Sequence, residues 1–231
     1  MLIGHFGIAL AAKSLTPKTS LGTLFLSVHF VDLVWPIFLI LGIEQIRIEP
    51  ANTVLTSIEY QYFPYTHSLL GVVGWAMLIG MIYYVIRRNR NSAYILALGT
   101  ISHWVLDALV HRADLPLLPG YEVYVGIGLW NSLLGTVLVE LSIFLIGLII
   151  YVSSTVAIWR LGLYGFWGLI AFLLVSWIGS ITGLPPSSEK MVAIIVFSQW
   201  IIIPWAYWVD NHRHFKGGPA PVEQSPYREG M

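Results

Sequence analysis

The hydrophobic positions along the chain form long continuous runs rather than an alternating pattern. Several runs reach the roughly 20 residues that a helix needs to cross a hydrocarbon core of about 30 Å. Continuous apolar runs of this length favour helices over the strands of a membrane barrel. We therefore predict an all-α, polytopic transmembrane helical bundle. A half-span helix covers residues 2–12, and about six full spans cover residues 20–43, 67–86, 92–110, 132–159, 161–181 and 191–208.

The composition indicates the same class of protein. Hydrophobic residues make up 57% of the 231 positions and charged residues 10%, which is too little polar surface to cover a soluble globule. The net charge of zero argues against a nucleic-acid partner, because such partners normally require a basic face. The chain has no cysteine, so any metal must be held by nitrogen and oxygen ligands. Membrane lipids are the expected partners.

The polar segments predict one membrane-embedded domain over residues 1–216, followed by a flexible Gly- and Pro-rich tail over residues 217–231. No basic region precedes the first apolar stretch, so we do not expect a cleaved signal peptide. Assigning the loops alternately to two sides gives one side nine Lys and Arg residues and the other three, which predicts a cytoplasmic C-terminus in a bacterial or archaeal membrane. The nine are Lys13, Lys18, Arg87, Arg88, Arg90, Arg160, Arg213, Lys216 and Arg228, and the three are Arg47, Arg112 and Lys190.

The third full span carries a row of polar residues. His103, Asp107 and His111 recur every four residues, which places them along one face of a helix. Alone, such a row is equally typical of a polar stripe that lines a water-filled cavity. His67 begins the preceding span at the same predicted depth, and hydroxyl residues beside it are candidate helix caps. The shared depth favours a metal ligand over a solvated interfacial histidine.

Acidic residues also lie inside two other spans. Asp32 is in the first full span, with His29 one turn before it, and Glu140 is in the fourth. An acid near the middle of a bilayer costs about 2.5 to 3.5 kcal/mol, so these two and Asp107 together imply a penalty on the order of 8 kcal/mol. No Lys or Arg lies within the six spans to offset it. Three other ways to offset the cost remain: protonation of the acids, pairing with histidinium, and a bound divalent cation. The cation best explains why neutral imidazoles and carboxylates collect at one depth.

Four pieces of the first 120 residues resemble a known family, the YdjM-like predicted membrane-bound metal-dependent hydrolases, also described as LexA-binding, inner-membrane-associated hydrolases. The pieces are Gly4-His5, Asp32 followed by Pro36, Thr66-His67-Ser68-Leu69, and Gly99 to Asp107 with Ser102-His103 inside it. The sequence departs from the family pattern at Tyr62, where a histidine is typical, and at Val34 and Trp35, where Asp-His is typical. These departures favour one or two ions over a larger cluster.

The resemblance implies that the metal ligands are His5, Asp32, His67, His103 and Asp107. His29, His111 and Glu140 are candidate ligands from their positions in the spans. The expected metal is a divalent ion, with Zn²⁺ first and Mn²⁺ or Fe²⁺ as alternatives.

The predicted function is a membrane-embedded, metal-dependent hydrolase in the outer half of the bilayer. A metal-activated water would attack a lipid phosphoester or ester, with Asp107 or Glu140 as the catalytic general base. The alternative is a proton- or ion-coupled transporter or channel that uses the buried Asp, Glu and His side chains as a relay. A third hypothesis is an interaction protein with a structural metal, because structural and catalytic sites differ in an open coordination position.

Overall fold

The computed structural model describes residues 1–50 and 52–216, and it confirms the prediction of an all-α bundle. The predicted tail over residues 217–231 lies outside the described residues. The described part of the chain forms ten α-helices. They are α1 (Ile3–Leu15), α2 (Leu21–Val28), α3 (Phe30–Ile40), α4 (Pro64–His67), α5 (Leu69–Arg87), α6 (Arg90–Val110), α7 (Leu133–Ser154), α8 (Arg160–Thr182), α9 (Glu189–Phe197) and α10 (Ile202–Asn211).

Five helical segments are long and apolar enough to cross a membrane: α5, α6, α7, α8 and the continuous stretch from α9 to α10. The pair α2 and α3 passes the same test as one span bent by 54° and makes a sixth. A 3₁₀ turn, Ser198–Ile201, joins α9 to α10. Pro204 follows it and has no N–H to donate to the carbonyl four residues earlier, which explains the irregular backbone. The number of spans agrees with the prediction.

Three short antiparallel strand pairs, which the sequence did not predict, join the ends of helices. The hairpin of β1 (Gln45–Ile48) and β2 (Ile58–Tyr62) follows α3, and Ile46 is paired with Tyr60. The pair β3 (Leu115–Pro116) and β4 (Tyr124–Val125) follows α6. At the opposite end of the bundle, β5 (Thr155–Ala157) pairs with β6 (Arg213–Phe215).

Helix α1 lies in the centre of the bundle and packs against α2, α6 and α7. Its 13 residues span about 20 Å, which is too short to cross a membrane and confirms a half-span helix. Ile3, Phe6 and Leu10 are buried in the largest apolar cluster. At its far end, Lys13 donates to Asp210 on α10 at 2.6 Å. We call this end of the bundle, where α5 also ends and α6 begins, the basic end.

The bend between α2 and α3 occurs at His29, where the regular hydrogen bonding of a helix is interrupted. The carbonyl of Ser27 accepts a hydrogen bond from the Thr100 hydroxyl at 2.9 Å. The carbonyl of Val28 lies 2.9 Å from His103 Nδ1. Both partners are on α6, so this helix satisfies the backbone groups that the bend exposes. The same contact fixes the orientation of the His103 ring.

Helices α1 and α7 approach closely enough for their backbones to touch. A Cβ added at Gly147 would lie 2.0 Å from the carbonyl oxygen of Gly7, and one added at Gly7 would lie 2.6 Å from the carbonyl oxygen of Ile143. Only glycine fits at either position without moving a helix.

We predict that Gly147→Ala destabilises the protein by about 1 to 3 kcal/mol, because the extra methyl group separates two backbones that cannot yield as a side chain does. Gly74→Ala is the matched control, since a Cβ at this helical glycine meets nothing within 4 Å. Thermal unfolding in detergent measures both. Equal melting temperatures for the two variants would contradict the prediction.

Candidate metal centre

Side chains from four helices meet at the end of the bundle opposite the basic end. His103 Nε2 lies 3.1 Å from Asp107 Oδ2, and His67 Nε2 lies 3.2 Å from Asp32 Oδ1. His5 Nε2 lies 3.2 Å from the other oxygen of Asp107. All five side chains are buried except that of Asp32, which is 20% exposed. The structure therefore brings together all five residues that the family resemblance implies.

Two overlapping groups of these residues have the spacing of metal ligands. One is His5, Asp32 and His103, the other is His67, His103 and Asp107, and the ligand atoms of each group lie within 4.8 Å of one another. Tetrahedral ligands at 2.0 to 2.2 Å from an ion are roughly 3.4 Å apart. The observed separations, from 3.1 Å to 3.9 Å, lie on both sides of that value. Nitrogen and carboxylate oxygen donors in this arrangement fit a divalent cation such as zinc.

The hydrogen bonding of His103 leaves one ring nitrogen for a metal. Its Nδ1 faces the carbonyl oxygen of Val28, which accepts only, so Nδ1 carries the proton. Its Nε2 is buried and has no hydrogen-bond partner among the described residues, although Asp32 and Asp107 lie within 3.6 Å. In the neutral ring, Nε2 would direct a lone pair at two carboxylates, and either a proton on Nε2 or a cation between the three groups would relieve that repulsion.

A second chain of contacts orients His67, and it begins at Glu44. The Glu44 carboxylate accepts hydrogen bonds from the backbone N–H groups of Tyr65 and Thr66 and from the Thr66 hydroxyl at 2.6 Å. Because the Thr66 hydroxyl donates its one hydrogen bond to Glu44, its oxygen accepts a hydrogen bond from His67 Nδ1 at 2.7 Å. In the neutral ring the other nitrogen, Nε2, then carries the lone pair, and it lies 3.2 Å from Asp32 Oδ1. Such outer contacts fix the tautomer and direction of a metal-binding histidine.

Glu44 is the residue of this site that sequence analysis missed. It lies just after α3, in a polar stretch that resembles an ordinary surface loop, yet it is 1% exposed. Only its proximity to Thr66 in the folded chain identifies its role. The cap expected beside His67 is confirmed, because the Ser68 hydroxyl accepts from the N–H of Gly71 at the start of α5.

Three other predicted ligands lie beside the two groups and have partners of their own. His29 Nε2 contacts the side-chain oxygen of Gln199, and His111 Nδ1 lies 2.9 Å from Asp114. Glu140 accepts hydrogen bonds from the N–H groups of Leu2 and Ile3 at 2.9 Å and 3.1 Å. The first turn of α1 lies inside the protein and needs acceptors for its free N–H groups. Glu140 therefore caps α1.

The charge of the site is unbalanced. Asp32, Asp107 and Glu140 contribute three carboxylates, and the amino group of Met1 donates to Asp107 at 2.6 Å. Even if that amino group is counted as a cation, two negative charges remain when the histidines are neutral. The described Arg and Lys side chains that form ion pairs, such as Lys13 with Asp210 and Arg112 with Glu59, do so with other acids. A divalent cation would neutralise the remainder.

A cavity of about 750 Å³ opens beside these side chains, within the usual size range of a small-molecule site. Asp32, His67, Asp107 and Glu140 line one part of it. Tyr60 on β2 lines the wall and packs against Trp35, Phe63, His111 and Trp130. Burial, and then the nearby carboxylates of Asp32, Asp107 and Asp114, raise the pKa of the Tyr60 hydroxyl well above its ordinary value. Tyr60 is therefore a neutral hydrogen-bond donor at physiological pH.

Comparisons with known proteins do not add to this geometry. No protein-family model, no curated protein and no solved structure matches the chain.

We predict that Glu44→Gln weakens divalent-metal binding about 10- to 100-fold, the usual effect of losing an outer contact. An amide NH₂ opposite Thr66 donates to its hydroxyl, whose own proton then turns toward His67 Nδ1 and moves the ring proton to Nε2. Zinc titration by calorimetry measures the change.

Glu49→Gln is the matched control for Glu44→Gln, because Glu49 is 47% exposed and pairs with Arg47 outside the site. Its zinc affinity should equal that of the wild type. A Glu44→Gln protein that also binds zinc with wild-type affinity would show that the contact with Thr66 does not control the tautomer of His67.

Proposed function

We propose that this protein is a membrane-embedded, metal-dependent hydrolase. The observation that supports the proposal most strongly is the convergence of Asp32 and Asp107 with the Nε2 atoms of His67 and His103. Each histidine has its other nitrogen engaged as a donor, so both rings are set for metal binding before an ion arrives. Pre-set ligands beside an open cavity are typical of a catalytic site, which keeps a position for water or substrate.

The roles of the residues follow from their contacts. A bound divalent cation supplies a water of lowered pKa and polarises a phosphoryl or carbonyl oxygen. Both oxygens of Asp107 face histidines, which suits a ligand. Glu140 accepts backbone hydrogen bonds through Oε2 and lines the cavity, so its other oxygen is the better placed to take a proton from the water. Tyr60 is available to donate to the substrate.

The proposed substrate is a lipid phosphoester or ester. The cavity lies among helices that are long and apolar enough to span a membrane. An amphiphile already resides at that depth, whereas a water-soluble substrate gains nothing from reacting there. The proposed metal is zinc, with manganese or iron as alternatives, since nitrogen and oxygen donors accept all three.

The structure supports hydrolysis over the relay used by a transporter. A relay requires polar groups that continue from the site toward the basic end. Buried apolar residues of α1, α2 and α6 occupy that direction instead, including Leu10, Leu24, Phe25 and Leu96. This apolar packing between the site and the basic end supports a hydrolase over a relay.

The basic end would face the cytoplasm. It holds Lys13, Arg87, Arg88 and Arg90, and an excess of basic residues is typical of cytoplasmic loops. The site would then lie in the half of the bilayer facing away from the cytoplasm. Membership of the YdjM-like family is part of the proposal, and the five converging residues support it.

We predict that purified wild-type protein contains a near-stoichiometric divalent metal and that His103→Ala and Asp107→Ala lose it, since both residues belong to the second ligand group. Elemental mass spectrometry of detergent-purified protein measures the content. The loss should be accompanied by loss of hydrolysis of a fluorogenic phosphoester or carboxylester lipid.

His214→Ala is the control, because His214 lies on β6 at the basic end. It should retain the metal. Wild-type protein that is folded but takes up no zinc, manganese or iron on dialysis against each would refute a metal-dependent reaction.

A further inference from the structure

The cavity beside the site continues between α8 and α9. Along α8 and its C-cap, the cavity is lined by small residues at positions 176, 179, 180 and 183, beside Trp177 and Ile181. Along α9 and the 3₁₀ turn that follows it, the lining residues are at positions 192, 195, 196 and 199. Both sets have the spacing i, i+3, i+4, i+7 of a single helix face. The two helices thus turn one face each toward the same space.

Small residues on a helix in a membrane normally allow another helix to approach closely. Here that approach does not occur. A Cβ added at Gly179 would meet nothing within 4 Å, and α9 packs mainly against α3. Gly179 and Ser180 are exposed, and Ile195 is 51% exposed. The gap therefore opens sideways, within two segments that are long and apolar enough to span a membrane.

The cavity changes in chemistry along its length. At one end are the carboxylates and imidazoles of Asp32, His67, Asp107 and Glu140, and at the other are aliphatic side chains, among them Ile181, Leu184, Ile195 and Val196. A molecule that fits both ends has a polar head and an apolar chain. An opening within membrane-spanning segments admits molecules from the lipid phase.

We propose that the gap between α8 and α9 is a lateral portal through which a membrane phospholipid places its head group at the metal centre while an acyl chain remains between the two helices. This inference rests on the proposed function for the reaction, but the portal itself depends only on the cavity. It makes α9 part of the substrate site, and it explains why α8 presents small residues where nothing packs against them.

The test uses the full-length protein reconstituted in vesicles of phosphatidylethanolamine and phosphatidylglycerol, with a phosphatidylethanolamine that carries a diazirine in one acyl chain as the probe. After illumination, adducts are mapped by peptide mass spectrometry. We expect adducts at Ile181 and Ile195 in the wild type. The variant Gly179→Trp fills the portal, so its adducts at these two positions should fall to background.

Two matched controls separate the portal from the lipid that surrounds any membrane protein. Gly74→Trp adds the same bulk at another exposed helical glycine with nothing within 4 Å, and it should keep the wild-type adducts. Ile194 is 52% exposed but does not line the cavity, so its labelling should be the same in all three proteins. Equal labelling of Ile195 in Gly179→Trp and wild type would overturn the portal.

Metal content and lipid hydrolysis of the same preparations distinguish the two proposals. Gly179→Trp that keeps its metal but loses both adducts and hydrolysis supports a portal that feeds the reaction. If Gly179→Trp loses the adducts but the wild-type protein does not hydrolyse lipid, the result supports a lipid site and contradicts the hydrolase. Unchanged hydrolysis of the vesicle lipid by Gly179→Trp, with its metal retained, would overturn the portal as the substrate route.

Discussion

The organisation of this protein depends on the burial of carboxylates in an apolar bundle, where no Lys or Arg side chain of residues 1–50 and 52–216 forms an ion pair with them. Asp32, Asp107 and Glu140 lie in segments where each unpaired charge is expensive. Glu140 is compensated by backbone N–H groups of α1, whereas Asp32 and Asp107 face histidine nitrogens. In His67 and His103 the opposite ring nitrogen donates to Thr66 and to the carbonyl of Val28, so Nε2 of each neutral ring is an acceptor. The arrangement therefore concentrates negative charge at one point, which a bound divalent cation would offset.

Irregular backbone surrounds that point, and side chains of neighbouring helices form the hydrogen bonds that the first turn of α1 and the α2–α3 break leave free. The first turn of α1 inside the bundle is capped by Glu140, and the break between α2 and α3 is satisfied by Thr100 and His103. Non-helical backbone at membrane depth is tolerated where protein groups or a cavity receive its polar atoms. The site and the departures from regular helix thus require one another. This is why Gly7 and Gly147, which let α1 reach its place, matter for residues that they do not touch.

The sequence predicts those parts of the structure that depend on local residue patterns. The spans follow from continuous apolar runs, and the row of His103 and Asp107 follows from helical spacing. His5, by contrast, was implied only by family resemblance, because a single histidine in a short apolar segment has no pattern. Glu44 had no signal, since its burial depends on how the chain after α3 folds back onto Thr66. The bend at His29 was not predicted, because a run of apolar residues looks the same in a straight helix and in a bent one.

The role of α9 also depends on the folded structure and could not be predicted from the local sequence. The predicted span over residues 191–208 holds no histidine and no acid and so resembles a lipid-facing helix, yet Ile195 borders the cavity and Gln199, in the turn after α9, contacts His29. What distinguishes α9 is the space beside it, and that space exists because the small residues of α8 are left without a packing partner. A bundle held together only by apolar packing would close such a gap, since the two helices could then bury their facing surfaces against each other. Keeping it open leaves both faces available to a ligand, and the polarity of the cavity from Ile195 to Asp107 matches a lipid from chain to head group.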